Sequence, residues 1–354
     1  MLFSARVCIA ALTVASLAAD VERQPPSDVY TIAFASFAPL DTDIFIADSN
    51  GSDPRPLASA PSFEANASFS ADGKWVVFSS SRAGSWDIWR VHPDGTALER
   101  LVDDPAFDDQ AALSPDGQSL AFVSSRSGQA DIWIMDLATR RTRNLTQHPA
   151  GDFRPAWSPD GQWIAFTTDR DSTRPRFPPN DFVTRQSTTL YVVRADGSGL
   201  RRIPTPHVFV GSPTWSRDGR RIAYYSATLA DVAGITGAAR RGGTTQIEAV
   251  AVDGGEAVTL TTGPGEKLSP QWRRDGFVAY AQGGKNPGFA TVDGRSGARG
   301  EYSAPHWSSD GKHMVFHREV ASGWPPHRPW DSREAAFQLI RTGIFPSWSS
   351  TGDR

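Results

Sequence analysis

The chain has 354 residues, a formal net charge of −3 and 39% apolar residues, with 12 Trp and 31 Gly. That is enough chain for one large domain or two ordinary ones, and enough apolar side chain for a core. The near-neutral balance argues against a partner held by bulk electrostatics, so no nucleic acid is expected.

In chain order, Met1 to Ala18 read as a secretory signal. Arg6 supplies the positive start, Val7 to Leu17 a short apolar run, and Ser16-Leu17-Ala18 a small-x-small cleavage site. The apolar run is about half of what a bilayer span needs. No later segment is apolar enough to cross a membrane, so stable membrane insertion is not expected. The single cysteine, Cys8, leaves with the signal, and the mature chain then has no thiol for a disulfide, a metal or a nucleophile. A periplasmic or secreted protein is predicted, with residues 19–28 as a short linker and 29–354 as one domain.

Tyr30 to Ala58 reads as three strands, with Asp43-Ile44-Phe45 opening the second of them. From Phe69 onward one phrase recurs: "FSADGKWVVFSSSR", then "LSPDGQSLAFVSSR" from Leu113, "WSPDGQWIAFTTDR" from Trp157 and "WSRDGRRIAYYSAT" from Trp215. "WRRDGFVAYAQG" from Trp272, "WSSDGKHMVFHRE" from Trp307 and a terminal "WSSTGDR" from Trp348 complete the series. The central acids Asp72, Asp116, Asp160, Asp218, Asp275 and Asp310 are spaced by 44, 44, 58, 57 and 35 residues. Self-similarity at this period marks stacked units, none able to bury its own faces.

Each unit has a physical reading. A strand ends in Trp-Ser, and x-Asp-Gly turns the chain because Asp bonds its own backbone and Gly accepts positive φ. The next strand is apolar on consecutive positions, so it must be covered on both sides. A third strand opens with Asp87-Ile88-Trp89 or Asp131-Ile132-Trp133, and a second Asp-Gly turn leads to an edge strand. Four antiparallel strands per unit make an all-β fold, the β-propeller. Six internal anchors plus one shared by the termini count seven blades, with six as the alternative count. The tail "FPSWSSTG" is expected to pair with the head and close the ring.

Pro-x-Trp-Ser-Pro-Asp-Gly followed by Ile-Ala-Phe, Ser-x-Arg, Asp-Ile-Trp and Asp-Gly resembles the TolB-type repeat, also called WD40-like or PD40, from about Val29 to Arg354. The resemblance implies an exported scaffold that binds other proteins without a cofactor. Related repeats also form the propellers of prolyl-oligopeptidase-like peptidases, amidohydrolase fusions and a polysaccharide lyase. TolB-like proteins carry an α/β domain ahead of their blades, whereas here about ten residues separate the signal from the first strand. The propeller and the binding habit therefore carry over, and the specific partner does not.

The repeated acids are expected to serve turn chemistry, Arg82 and Arg126 hairpin and inter-blade hydrogen bonding, and Trp157, Trp215, Trp272 and Trp307 packing. Three long insertions map to one face, after the second strand of a unit. Asp169 to Thr189 holds Arg170, Arg174, Arg176, Phe177 and Arg185; Ala227 to Thr245 holds Arg240 and Arg241; Ser322 to Ala336 holds Trp324, Arg328 and Trp330. Loops this long are functional or disordered, and arginines with aromatics suit a protein or saccharide interface. His148, His207, His317 and His327 map to the same face and are the candidate ligands of a metal-assisted lyase or hydrolase, the alternative reading. Asn66-Ala67-Ser68 and Asn144-Leu145-Thr146 are glycosylation sequons. No Gly-x-Ser-x-Gly elbow or phosphate-binding Gly-rich loop occurs. The leading expectation is an exported, monomeric, non-enzymatic propeller binding a protein or saccharide on the insertion face or in the axial channel. A non-catalytic propeller at the front of a longer peptidase or amidohydrolase is the other alternative.

Overall fold

The structure is a computed structural model that describes residues 30–33, 40–172, 187–228, 244–283, 287–300, 302–321 and 347–350. All regular structure among these residues is strand, apart from turns and bends. No helix among them is long and apolar enough to cross a membrane. The signal and linker lie outside the described residues.

The chain divides into two compact units, Met1–Leu40 with Gly323–Arg354, and Asp41–Ser322. In the first, Tyr30–Ala33 pairs antiparallel with Ser347–Ser350, placing Tyr30 opposite Ser350 and Ile32 opposite Trp348. The second carries six four-stranded antiparallel sheets arranged as the blades of a propeller ring.

Blade I is Glu64–Phe69, Val76–Ser80, Asp87–Val91 and Glu99–Arg100. Blade II is Asp108–Leu113, Ser119–Ser124, Asp131–Asp136 and Thr142–Asn144. Blade III is Asp152–Trp157, Trp163–Thr168, Thr189–Arg194 and Arg201–Ile203. Blade IV is Phe209–Trp215, Arg221–Ala227, Gln246–Ala251 and Val258–Thr259. Blade V is Lys267–Trp272, Val278–Gln282, Gly288–Thr291 and Ser296–Arg299. Blade VI joins distant parts of the chain: Ser303–Trp307 and His313–Ala321 continue into Leu40–Asp48 and Arg55–Ala58.

Blade VI corrects the count of seven to six. Tail and head do pair, but in a two-stranded sheet of their own. The Trp-Ser strand that the head's strands require comes from Ser303–Trp307. One edge of Leu40–Asp48 takes Arg55–Ala58 and the other takes His313–Ala321, which leaves no vacant position for the Trp348 strand.

Burial explains the sequence pattern. The second strands are buried throughout over Val76–Ser80 and from the second residue onward over Ser119–Ser124 and Trp163–Thr168. Their alternate side chains serve opposite neighbours: Val76 and Phe78 pack toward blade VI, while Val77 packs toward blade II. Six apolar clusters result, each shared by two adjacent blades, including one between blades V and VI and one between VI and I.

The turns behave as their residues require. Ser114 donates to Asp116 Oδ1 at 2.5 Å, the Gln118 amide donates to the same oxygen at 3.0 Å, and Gly117 takes φ 70°. The same arrangement recurs at Asp72, Asp160, Asp218 and Asp310. The Ser hydroxyl, with the backbone N–H, holds the Asp116, Asp218 and Asp310 carboxyls below the usual range. The tryptophans pack between strands as expected. Trp157 Nε1 donates to Ala112 O at 3.1 Å and Trp215 Nε1 to Ala156 O at 2.9 Å, each tying its blade to the preceding one.

Candidate functional site

In blades I to III the first residue of the inner strand is an acid with no exposed side-chain surface: Glu64, Asp108 or Asp152. The antiparallel register sets Ser80, Ser124 or Thr168 opposite it. Two residues further on, Arg82, Arg126 or Arg170 folds back onto the acid, at 3.3, 3.0 and 2.9 Å respectively. Each guanidinium also lies over a ring of the third strand, Trp89 at 5.2 Å, Trp133 at 5.0 Å and Tyr191 at 4.8 Å. The recurring Ser-x-Arg is therefore an internal clamp. Burial pushes the Glu64 carboxyl up to about 7 and the Asp108 carboxyl up to about 6, against the pull of their arginines. Glu64 Oε2 has no hydrogen-bond partner, in keeping with the larger shift.

Arg170, placed by its sequence on the insertion rim, belongs to this clamp. Its side chain is 7% exposed, and its Nε donates to Thr168 Oγ1 at 3.1 Å. "TDR" is thus the blade III version of "SSR". Arg174, Arg176, Phe177, Arg185, Arg240, Arg241, Trp324, Arg328 and Trp330 lie outside the described residues. The ends of two insertions leave the second strand of blades III and IV and re-enter at the third, as expected. The third follows the second strand of blade VI, whose third strand is Leu40–Asp48.

The described histidines have separate partners. His148 Nδ1 accepts the Ala150 amide at 3.0 Å. His207 Nε2 lies 3.3 Å from Glu248 Oε1. His317 sits on the second strand of blade VI, where its Nδ1 accepts the Asn66 amide of blade I at 3.4 Å. Burial, with Arg154 nearby, pushes His317 down to about 4. Among the described residues no group of three or more His, Cys, Asp or Glu could hold a metal ion; His327 lies outside them. Both sequon asparagines are committed internally, Asn66 Nδ2 to Asp109 Oδ1 and Asn144 Nδ2 to Asp131 Oδ2, each at 2.8 Å.

The prominent concavity is a cavity of about 350 Å³ on the axis of the ring, walled by the inner strands of all six blades. Its geometry comes from a β-bulge repeated six times. The inner strand slips register against the second strand in every blade. The residue at the slip has positive φ each time: Asn66, Gln110, Arg154, Ser212, Ser269 and Ala304, between 45° and 57°. A bulge re-aims side chains and leaves the extra residue unpaired, and these six line the cavity. Pro155, Pro213, Pro270 and Pro305 follow the bulge residue in four blades, where a missing N–H is tolerated. His306 also lines the wall. Its Nδ1 accepts the Phe69 amide at 3.2 Å, and burial holds the ring down to about 4. The x-Pro-x-Trp pattern was the available sequence signal for this ring.

Residues 104–177 match the sequence model of the TolB beta propeller domain, PD40. No curated protein matches the chain. Among solved structures, a putative TolB from Agrobacterium tumefaciens is 20% identical with a TM-score of 0.59, covering 79% of this chain and 99% of that one. TolB from Acinetobacter baumannii is 19% identical with a TM-score of 0.57 over 79% of this chain, which spans 64% of that protein's length. An oligogalacturonate lyase in complex with manganese is 16% identical with a TM-score of 0.53, covering 84% and 88%. Repeat and blade architecture thus agree: this is an all-β, six-bladed propeller of TolB-like fold with a PD40 segment.

Proposed function

We propose that the protein is an exported, non-enzymatic propeller scaffold that binds a protein or saccharide at its insertion-bearing face or in its axial channel. One observation carries this reading. The buried acids of blades I to III are paired with Arg82, Arg126 and Arg170, while the axis keeps a concavity with a mixed polar and apolar wall that includes Asn66, Gln110 and Arg154. Such a surface can hold a ligand. The N-terminal signal pattern supports export to the periplasm or beyond, and the likeness to TolB supports a binding role by analogy of fold.

The test is capture of an identified partner by the mature chain, repeated after the three insertions are replaced by short turns. Loss of capture with an unchanged circular dichroism spectrum is expected. Undiminished capture would overturn the docking face. A stoichiometric metal in the purified protein, together with depolymerisation of a polyuronide, would overturn the scaffold in favour of the metal-assisted lyase.

A further inference from the structure

The bulge ring makes the same backbone demand in all six blades, but its side chains are unequal. Positive φ favours Asn and Gly, and nothing about the turn calls for arginine. Yet Arg154 stands there, and it is the one charged residue in the cavity wall. Its guanidinium reaches over from blade III to blade I, where Nη1 donates to Asn66 Oδ1 at 3.3 Å. Its backbone N–H is bound to Gln110 Oε1 at 2.8 Å, which anchors the chain at that point.

The clamp arginines, by contrast, each have an acid, and two other half-buried arginines without one are held over rings, Arg201 over Trp163 at 5.6 Å and Arg318 over Phe45 at 4.1 Å. Arg82, Arg126 and Arg170 are clamped as described, and Arg100 meets Asp87 at 2.8 Å. Arg154 has no carboxylate within ion-pair distance among the described residues. Asp109, the acid bonded to Asn66, is 8% exposed and is not part of the wall. Its Oδ1 is occupied by Asn66 Nδ2 and by the Gln110 amide at 2.7 Å. The cavity therefore presents a guanidinium whose one hydrogen bond to the described residues is that to Asn66. The same cavity is lined by Ser212, Thr214 and Ser269, whose hydroxyls make no hydrogen bond among the described residues, and by no acid.

We propose that the axial cavity binds a small hydroxylated organic acid, with Arg154 receiving its carboxylate and the neighbouring hydroxyls and amides meeting its alcohol groups. A guanidinium fork matches a carboxylate in bidentate fashion. A monoanion balances the single cation, whereas a phosphate dianion would remain under-compensated in a confined site. A volume of about 350 Å³ admits a ligand of small-metabolite size. The proposal rests on the reading of this protein as a binding scaffold and assigns a ligand class to its channel.

The test is isothermal titration of the full mature chain with quinate, a cyclic polyhydroxy monocarboxylate, and with myo-inositol, its neutral counterpart. Inorganic phosphate, Gly-Gly-Gly and the C-terminal amide of that tripeptide complete the series. Quinate is expected to bind about tenfold or more tightly than myo-inositol. Arg154→Gln is expected to weaken quinate about tenfold or more at an unchanged unfolding midpoint, with Arg154→Lys falling between. If Arg154→Gln does not fold, the Lys variant carries the comparison. Equal binding of quinate and myo-inositol, no quinate binding at about 10 mM, or undiminished binding by Arg154→Gln would overturn the proposal. Tighter binding of phosphate, or binding of the free tripeptide alone, would overturn the ligand class. The insertion-shortened protein separates the two readings: lost partner capture with intact quinate binding removes nothing from the channel site, and the reverse result leaves the docking face standing.

Discussion

Glu64 is the buried carboxyl whose charge should be readable in the stability of the whole propeller. It has no exposed surface, accepts from Ser62 at 2.5 Å and Ser80 at 2.7 Å on one oxygen, and leaves the other unbonded. Burial outweighs those bonds and the Arg82 charge, and its pKa rises from 4.5 to about 7. A group raised on folding binds its proton more tightly in the folded state, so its stabilising contribution is complete below pH 4.5 and is lost as pH rises through about 7. At 1.36 kcal/mol per unit the loss amounts to about 3 kcal/mol. The assay is urea unfolding of the wild type and Glu64→Gln at intervals from pH 4 to 8. Asp87, Asp108 and Asp152 are raised in the same direction, so the quantity to follow is the difference between the two proteins. That difference should fall by about 3 kcal/mol across the window, to the disadvantage of the wild type as pH rises. A flat difference, or one that grows with pH, would refute the reasoning, because it would mean that Arg82 keeps Glu64 ionised throughout.

Three further outcomes follow from the same geometry. Asp108→Asn removes the carboxylate that Arg126, 15% exposed, meets at 3.0 and 3.1 Å and leaves it Asp104 at 3.5 Å; a loss of about 2–3 kcal/mol in urea unfolding is expected, below the cost of a fully unpaired buried charge, and Asp108→Asn with Arg126→Met should recover most of it. Gly117→Ala, at φ 70° with open space around it, should cost about 1 kcal/mol. Gly51→Ala should cost more by a further 1–3 kcal/mol, roughly, because its Cβ would meet Phe289 at 2.8 Å and Tyr302 at 2.9 Å in a packed core; equal midpoints for the two would contradict this. Trp215→Phe removes the bond to Ala156 O and should lower stability by about 1–2 kcal/mol without altering strand content by circular dichroism.

Much of the fold was legible because the constraint that produces it is local. Ser-x-Asp-Gly writes its own turn through the Ser70, Asp72 and Gly73 type of contact, and consecutive apolar residues such as Val76, Val77 and Phe78 announce a strand covered on both sides. Asp-Ile-Trp likewise marked the third strand at Asp87 and Asp131. The candidate site was less legible. Arg170 looked like a rim residue in a charged loop, and its role appeared only when the register set Thr168 against Asp152. His317 looked like a loop ligand and turned out to be a half-buried acceptor for Asn66, 251 positions away.

The repeated phrase by itself determined that the chain makes antiparallel blades, where each blade turns and which faces are apolar, since those properties depend on neighbours within a few residues. Only the tertiary structure decided that six blades form and not seven. The third and fourth strands of the last blade come from the opposite end of the chain, and pairing over that distance depends on which edge is vacant once all the others are filled. It also decided which residues meet on the axis. A bulge residue's backbone is constrained within its own blade, but what it meets on the axis, as Arg154 of blade III meets Asn66 of blade I, is set by how sheets that share no local sequence pack together.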